Sequence, residues 1–244
     1  MDPFLWGVAT SAYQAEGGYN GPGEPETNWA GAERTGDVAP LRQAAEFWTR
    51  YEEDFARCRE MGLNSFRLGI EWSRVQPGLA PSSPPAPAGF FGTNKSLSQP
   101  EPAPAFDYAA LDHYATMLSA CIQAGLEPVV TLHHFVHPAW LGSDPWLVRG
   151  TADQFANYVR VAVAHVNARL PRPIKWFITI NEPNMLVLNS YLGRQFPAKG
   201  PIGLATMTSA YNELLRAHIL TYNVLHDLYE ERGWPAPQEL ELPR

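Results

Sequence analysis

Four apolar runs of strand length, each followed by apolar residues spaced three and four apart, constrain this fold more than any other feature of the chain. The runs lie at residues 4–12, 65–72, 127–134 and 174–181. Short apolar runs rich in β-branched and aromatic residues read as buried strands. The intervening helices follow from Phe47, Tyr51, Phe55 and Cys58 within residues 43–61, and from Leu111, Tyr114, Leu118 and Ile122 behind an N-capping Asp107. A third helix carries Phe155, Tyr158, Ala162 and Val166 behind a capping box of Thr151 and Gln154. The fourth spans residues 204–231 and is stopped by Gly233 and Pro235. Repeated strand–helix units imply a parallel sheet with right-handed crossovers.

A complete (β/α)₈ barrel needs about 250 residues, so a chain of 244 residues invites that reading. The unit count argues otherwise: long loops leave room for four units, and the stretch after Pro235 is too short and polar for a fifth. The expected fold is α/β of the TIM-barrel type, with residues 1–244 forming one domain, half of a (β/α)₈ barrel. One stretch, residues 76–105, is crowded with prolines and lacks periodicity. It reads as a loop insertion on the face beyond the second strand, either a substrate-gating lid or a tolerated disordered segment.

The chain is 45% hydrophobic, enough to bury a core, and its 18 basic against 25 acidic residues give a net charge of −7. With no basic run, a nucleic-acid footprint is not expected. No apolar stretch reaches membrane-span length, and residues 1–4 lack the features of a signal peptide. Cys58 and Cys121 show no paired spacing and read as reduced thiols, so the expected location is cytoplasmic.

Polar groups gather where the strands end: Gln14 and Glu16 after the first, Arg67 and Glu71 on the second, His133 and His134 after the third, Asn181 and Glu182 after the fourth. Active sites of α/β proteins are built at the carboxyl ends of strands. An amide, a guanidinium, an imidazole and a carboxyl among aromatic rings suit a carbohydrate, whose hydroxyls take donors and acceptors while its C–H faces meet the rings. Pro183 should end regular pairing after Asn181, and Glu182, if enclosed by apolar neighbours, would serve as a general acid. No glycine-rich phosphate loop follows a strand, so no nucleotide or other cofactor is expected. His133, His134 and His137 could be read as metal ligands, but neighbours on a strand face opposite ways, and no metal site is expected. His113, His165, His218 and His226 read as surface or packing residues.

The stretches 4–17, 66–74, 131–134 and 179–184 resemble successive motifs of glycoside hydrolase family 1, the β-glucosidases. The resemblance implies hydrolysis of β-glycosides or oligosaccharides on a (β/α)₈ barrel with retention of configuration. It implies Glu182 as acid/base, Asn181 as ligand of the sugar 2-hydroxyl, Gln14 and His134 as glycone ligands, and Arg67 as the arginine beside the nucleophile. Phe135 stands where many members carry Trp. It implies further that the nucleophile follows a strand of the second half-barrel. Neither Glu16 nor Glu71 matches it. Strand alternation places Glu71 on the side of Arg67, where an ion pair is expected. Two readings follow: the amino-terminal half of a β-glycosidase, dependent on a complementary half, or a non-catalytic half-barrel that binds sugar or self-associates.

Overall fold

A computed structural model describes residues 4–78 and 104–238; the proline-rich stretch lies largely outside the described residues. The sheet has four parallel strands in sequential order: β1 (Gly7–Ala9), β2 (Ser65–Gly69), β3 (Glu127–Thr131) and β4 (Trp176–Ile178). This is the expected half-barrel. β1 and β4 are its edges.

Eight helices accompany the strands among the described residues: α1 (Ala12–Glu16), α2 (Ala30–Thr35), α3 (Phe47–Glu60), α4 (Trp72–Val75), α5 (Tyr108–Gln123), α6 (Thr151–Asn167), α7 (Pro183–Tyr191) and α8 (Leu204–Glu231). Four of them, α1, α2, α4 and α7, are unannounced by the periodicity. α1 takes Ala12 out of the predicted first strand, α4 takes Trp72 out of the second, and α7 begins with the proline read as a strand stop. Pro183 is well suited to a first helical position, where its missing N–H would have no partner anyway. α3 starts at Phe47 rather than at residue 43, because Arg42, Ala44 and Glu46 adopt positive φ.

The sheet has one covered face. Phe66, Leu68 and Val130 are buried in the main core with Phe55, Leu111, Leu118, Phe155 and Val159 from the helices. They lie under the helical layer, and Phe177, partly buried on the same core, packs edge-on against Tyr229. Strand alternation then assigns the opposite face to Arg67, Val129 and Trp176, which share one row of the register with Ala9. These residues are half-buried or exposed. The edge at β1 also exposes Phe4, Trp6 and Val8.

Asp107 caps α5 as expected, accepting from Ala110 N at 3.0 Å. The capping box at α6 is not formed. Gly150 is the N-cap, and Thr151, already helical, donates its hydroxyl to Pro145 O. The capping acceptor comes instead from α8, where Glu213 Oε1 receives the amides of Gly150 and Ala152 at 3.2 and 3.1 Å. A carboxylate suits the positive end of a helix. Glu213→Ala should lower stability by about 1 kcal/mol, the usual cost of losing an N-terminal cap. A melting midpoint unchanged at pH 7 would contradict that.

Candidate active site

Five of the eight residues singled out at the strand ends fall into two groups. Arg67 alternates with Phe66 and Leu68 along β2, so it rises on the uncovered face. Its Nε donates to Thr131 Oγ1 at 2.8 Å and its Nη2 to Asn181 Oδ1 at 2.6 Å. One guanidinium thus ties β2, β3 and the segment after β4 together. Asn181 is buried, and its backbone N–H donates to His133 O at 2.9 Å, extending strand contact past β4. Burial lowers the Arg67 pKa, and the negative charge of Glu182 opposes the shift. Glu182 therefore belongs to the same electrostatic neighbourhood.

Glu182 sits at φ 41°, ψ 59°, in the left-handed region, as N-cap of α7. That conformation costs a residue with a Cβ on the order of 1–3 kcal/mol and is held by the surrounding structure. It turns the chain sharply between β4 and α7. The side chain is exposed. The apolar enclosure expected around this carboxyl is not supplied by the described residues.

The second group lines a pocket of about 280 Å³ formed by Tyr13, Gln14, Trp29, Glu33, Leu41, His134, Phe135 and Phe196, among others. Gln14 arrives on α1, immediately after β1, and its Oε1 accepts from Ser11 Oγ at 2.7 Å. His134 has its pKa lowered to about 4 by burial and by the charge of Arg67, so it is a neutral imidazole at pH 7. Its Nδ1 is buried without a partner. Phe135, at φ 67°, lies against both His134 and Phe196, with ring centroids 4.9 and 5.1 Å away. Glu33 is held by the Tyr13 hydroxyl at 2.7 Å. The pocket walls from Trp29, Glu33 and Phe196 had no signal in the strand-end pattern, because they come from loops and α2. Thr131 and Ser11 were legible only as members of motifs.

One expectation fails here. Glu71 does not pair with Arg67: a helix begins at once after it, and Glu71 turns inward as the N-cap of α4, accepting from Ser73 N and Oγ at 3.2 and 3.0 Å. Glu16 is the last residue of α1. It is buried, and its carboxylate meets Arg74, Tyr19 and Tyr114. Both carboxylates are committed to a buried network. His133 and His134 occupy different surroundings, His133 packing against Trp146 and Phe155. Among the described residues no group of three or more His, Cys, Asp or Glu could hold a metal. The helical histidines do structural work: His113 stacks on Trp48, His165 meets Asp112 and His218 meets Thr179. Cys58 and Cys121 are buried free thiols, and among the described residues no helix is long and apolar enough to cross a membrane.

Residues 1–90 and 101–234 match the family model of glycosyl hydrolase family 1. The chain is 32% identical over 221 residues to beta-glucosidase A of Acetivibrio thermocellus, covering 88% of this chain and 43% of that relative. It is 29% identical over 241 residues to the cytosolic beta-glucosidase of Homo sapiens, covering 94% and 45%. The solved structure of a beta-glucosidase from Thermotoga maritima superimposes with a TM-score of 0.73 at 26% identity, over 94% of this chain and 47% of that one. The chain thus spans less than half the length of these relatives. A family match over nearly all residues, together with the parallel half-barrel, establishes that this chain belongs to glycosyl hydrolase family 1.

Proposed function

We propose that the uncovered face carries the acid/base half of a retaining β-glycosidase site, with a β-glycoside or oligosaccharide as substrate. The supporting observation is the Arg67–Asn181 hydrogen bond with Glu182 as the next residue, beside a pocket that holds Gln14 and His134. In this reading Glu182 donates a proton to the leaving oxygen and later takes one from water. Asn181 binds the sugar 2-hydroxyl, Gln14 and neutral His134 bind glycone hydroxyls, and the aromatic walls receive the sugar's C–H face. Arg67 supports the nucleophile.

A retaining mechanism needs a second carboxylate about 5 Å from the first. Glu16 and Glu71 are buried elsewhere and Glu33 is held by Tyr13. The nucleophile is therefore assigned to further βα units packed on the uncovered face. Those units form a complementary carboxyl-terminal half-barrel. A second copy of the chain could cover the same edges, which is the non-catalytic alternative. The cytoplasmic setting belongs to the proposal and is supported by the unpaired Cys58 and Cys121.

The test is kinetic. Residues 1–244 alone are expected to leave aryl β-glucosides intact. Four further units bearing a carboxylate, fused or added in trans, should produce turnover. In that assembly Glu182→Gln should lower kcat about 10²- to 10⁴-fold for poor leaving groups, the usual worth of a positioned general acid, and much less for activated ones. Equal losses across leaving groups would remove Glu182 from the acid/base role. Turnover by residues 1–244 alone that requires Glu182 would refute the half-site reading.

A further inference from the structure

We propose that Thr131 is a positioning residue: its hydroxyl fixes Arg67, and Arg67 fixes the Asn181 amide with its oxygen inward and its N–H donors toward the uncovered end of the sheet. The value of this for sugar binding rests on the reading of Asn181 as a sugar ligand. The chemistry of the two partners settles the amide's polarity. A guanidinium has donors only, so the Asn181 atom 2.6 Å from Arg67 Nη2 has to be the oxygen. A flipped amide would set NH₂ against NH₂, two donors facing each other with no acceptor.

Arg67 could swing away were its other end loose. It is not loose, because Nε donates to Thr131 Oγ1 at 2.8 Å. In the register Thr131 stands opposite Gly69, two residues beyond the row of Arg67, and Ile178 is its neighbour on β4. The long arginine side chain therefore runs diagonally along the sheet, a reach that cross-strand geometry allows. Thr131 is 1% exposed, and its β-branched side chain is stiff at χ1, so the acceptor is placed before any ligand arrives. Asn181 Nδ2 donates to no group among the described residues and is not among the buried unpartnered atoms, so it is left to donate outward. Three strands thus hand one orientation to a single amide.

Thr131→Val keeps the shape and removes the acceptor, and Thr131→Ser keeps the acceptor. In the full chain, exchange of the Arg67 Nε–H should become about tenfold faster in Thr131→Val, the size expected when one hydrogen bond to a charged group is lost. The Asn181 side-chain amide resonances should move with it, and Thr131→Ser should restore both. A purely packing role would leave these signals in place in Thr131→Val, and that result overturns the proposal. A second measurement compares affinity for methyl β-glucoside with its 2-deoxy analogue. The preference should fall about tenfold in Thr131→Val and return in Thr131→Ser. If the resonances move as expected while the wild type shows no such preference, the positioning role stands and the assignment of Asn181 as a sugar ligand fails.

Discussion

Arg74→Met is expected to remove about 3–5 kcal/mol of stability, the cost of leaving one member of a buried ion pair alone. Arg74 lies under the first turn of the chain, with Nε donating to Glu16 Oε2 and to Tyr19 Oη at 3.0 Å each, and Nη2 donating to Gly17 O at 2.6 Å. Its guanidinium also rests over the rings of Tyr19 and Trp48, 4.2 and 4.0 Å from their centroids. Glu16 is 2% exposed, and burial pushes its carboxyl up while Arg74 pulls it down. Removing the cation leaves only the hydroxyls of Tyr19 and Tyr114 to serve that carboxylate. Because α1 carries Gln14, the same substitution should loosen the pocket. Adding Glu16→Gln to Arg74→Met should recover part of the loss, since the pair is coupled. Denaturant melts that place Arg74→Met within 1 kcal/mol of wild type would show that the network contributes packing rather than charge pairing.

That network also marks the limit of what the sequence could show. The parallel half-barrel was legible because each strand is an apolar run and each long helix repeats its apolar residues at helical spacing. Asp107 was legible because a cap acts within one turn. Glu213 was not: it caps a helix some sixty residues earlier, and no local pattern records a contact that only the packing of α8 on α6 creates. The Glu71 error has a similar origin. Alternation along β2 correctly aims Arg67 at the uncovered face, but it ceases to apply where a helix starts, and the two residues after Gly69 already leave the strand. At the site, the motifs flagged Gln14, Arg67, His134, Asn181 and Glu182, and the structure joins four of them in two contact groups. What it adds, the loop-borne walls at Trp29 and Phe196 and the role of Thr131, depends on which chains meet rather than on residue type.

Glu71→Gln should stabilise the chain at pH 8 far more than at pH 5. Glu71 is 4% exposed at the head of α4, and burial pushes its carboxyl up to about 8; Ser73 N and Oγ pull against that, the nearby charge of Glu16 adds to it, and Arg74 again opposes it. Tyr114 and Tyr158 complete the surroundings: the Tyr114 hydroxyl receives the Glu71 N–H, and both tyrosines have raised pKa values from the same burial. A carboxyl whose folded pKa lies above its unfolded value binds its proton more tightly when folded. The stability it confers is complete below about pH 4.5 and is lost as pH rises through about 8. The slope within that window approaches about 1.4 kcal/mol per pH unit, so the wild type should weaken by several kcal/mol where Gln, which cannot ionise, does not. Gln keeps an oxygen for the Ser73 amide and hydroxyl, so the cap of α4 survives the change. Unfolding free energies measured for both proteins from pH 5 to pH 8 decide the matter. Parallel curves would mean that Glu71 keeps the same proton occupancy folded and unfolded, so that burial does not hold a proton on it.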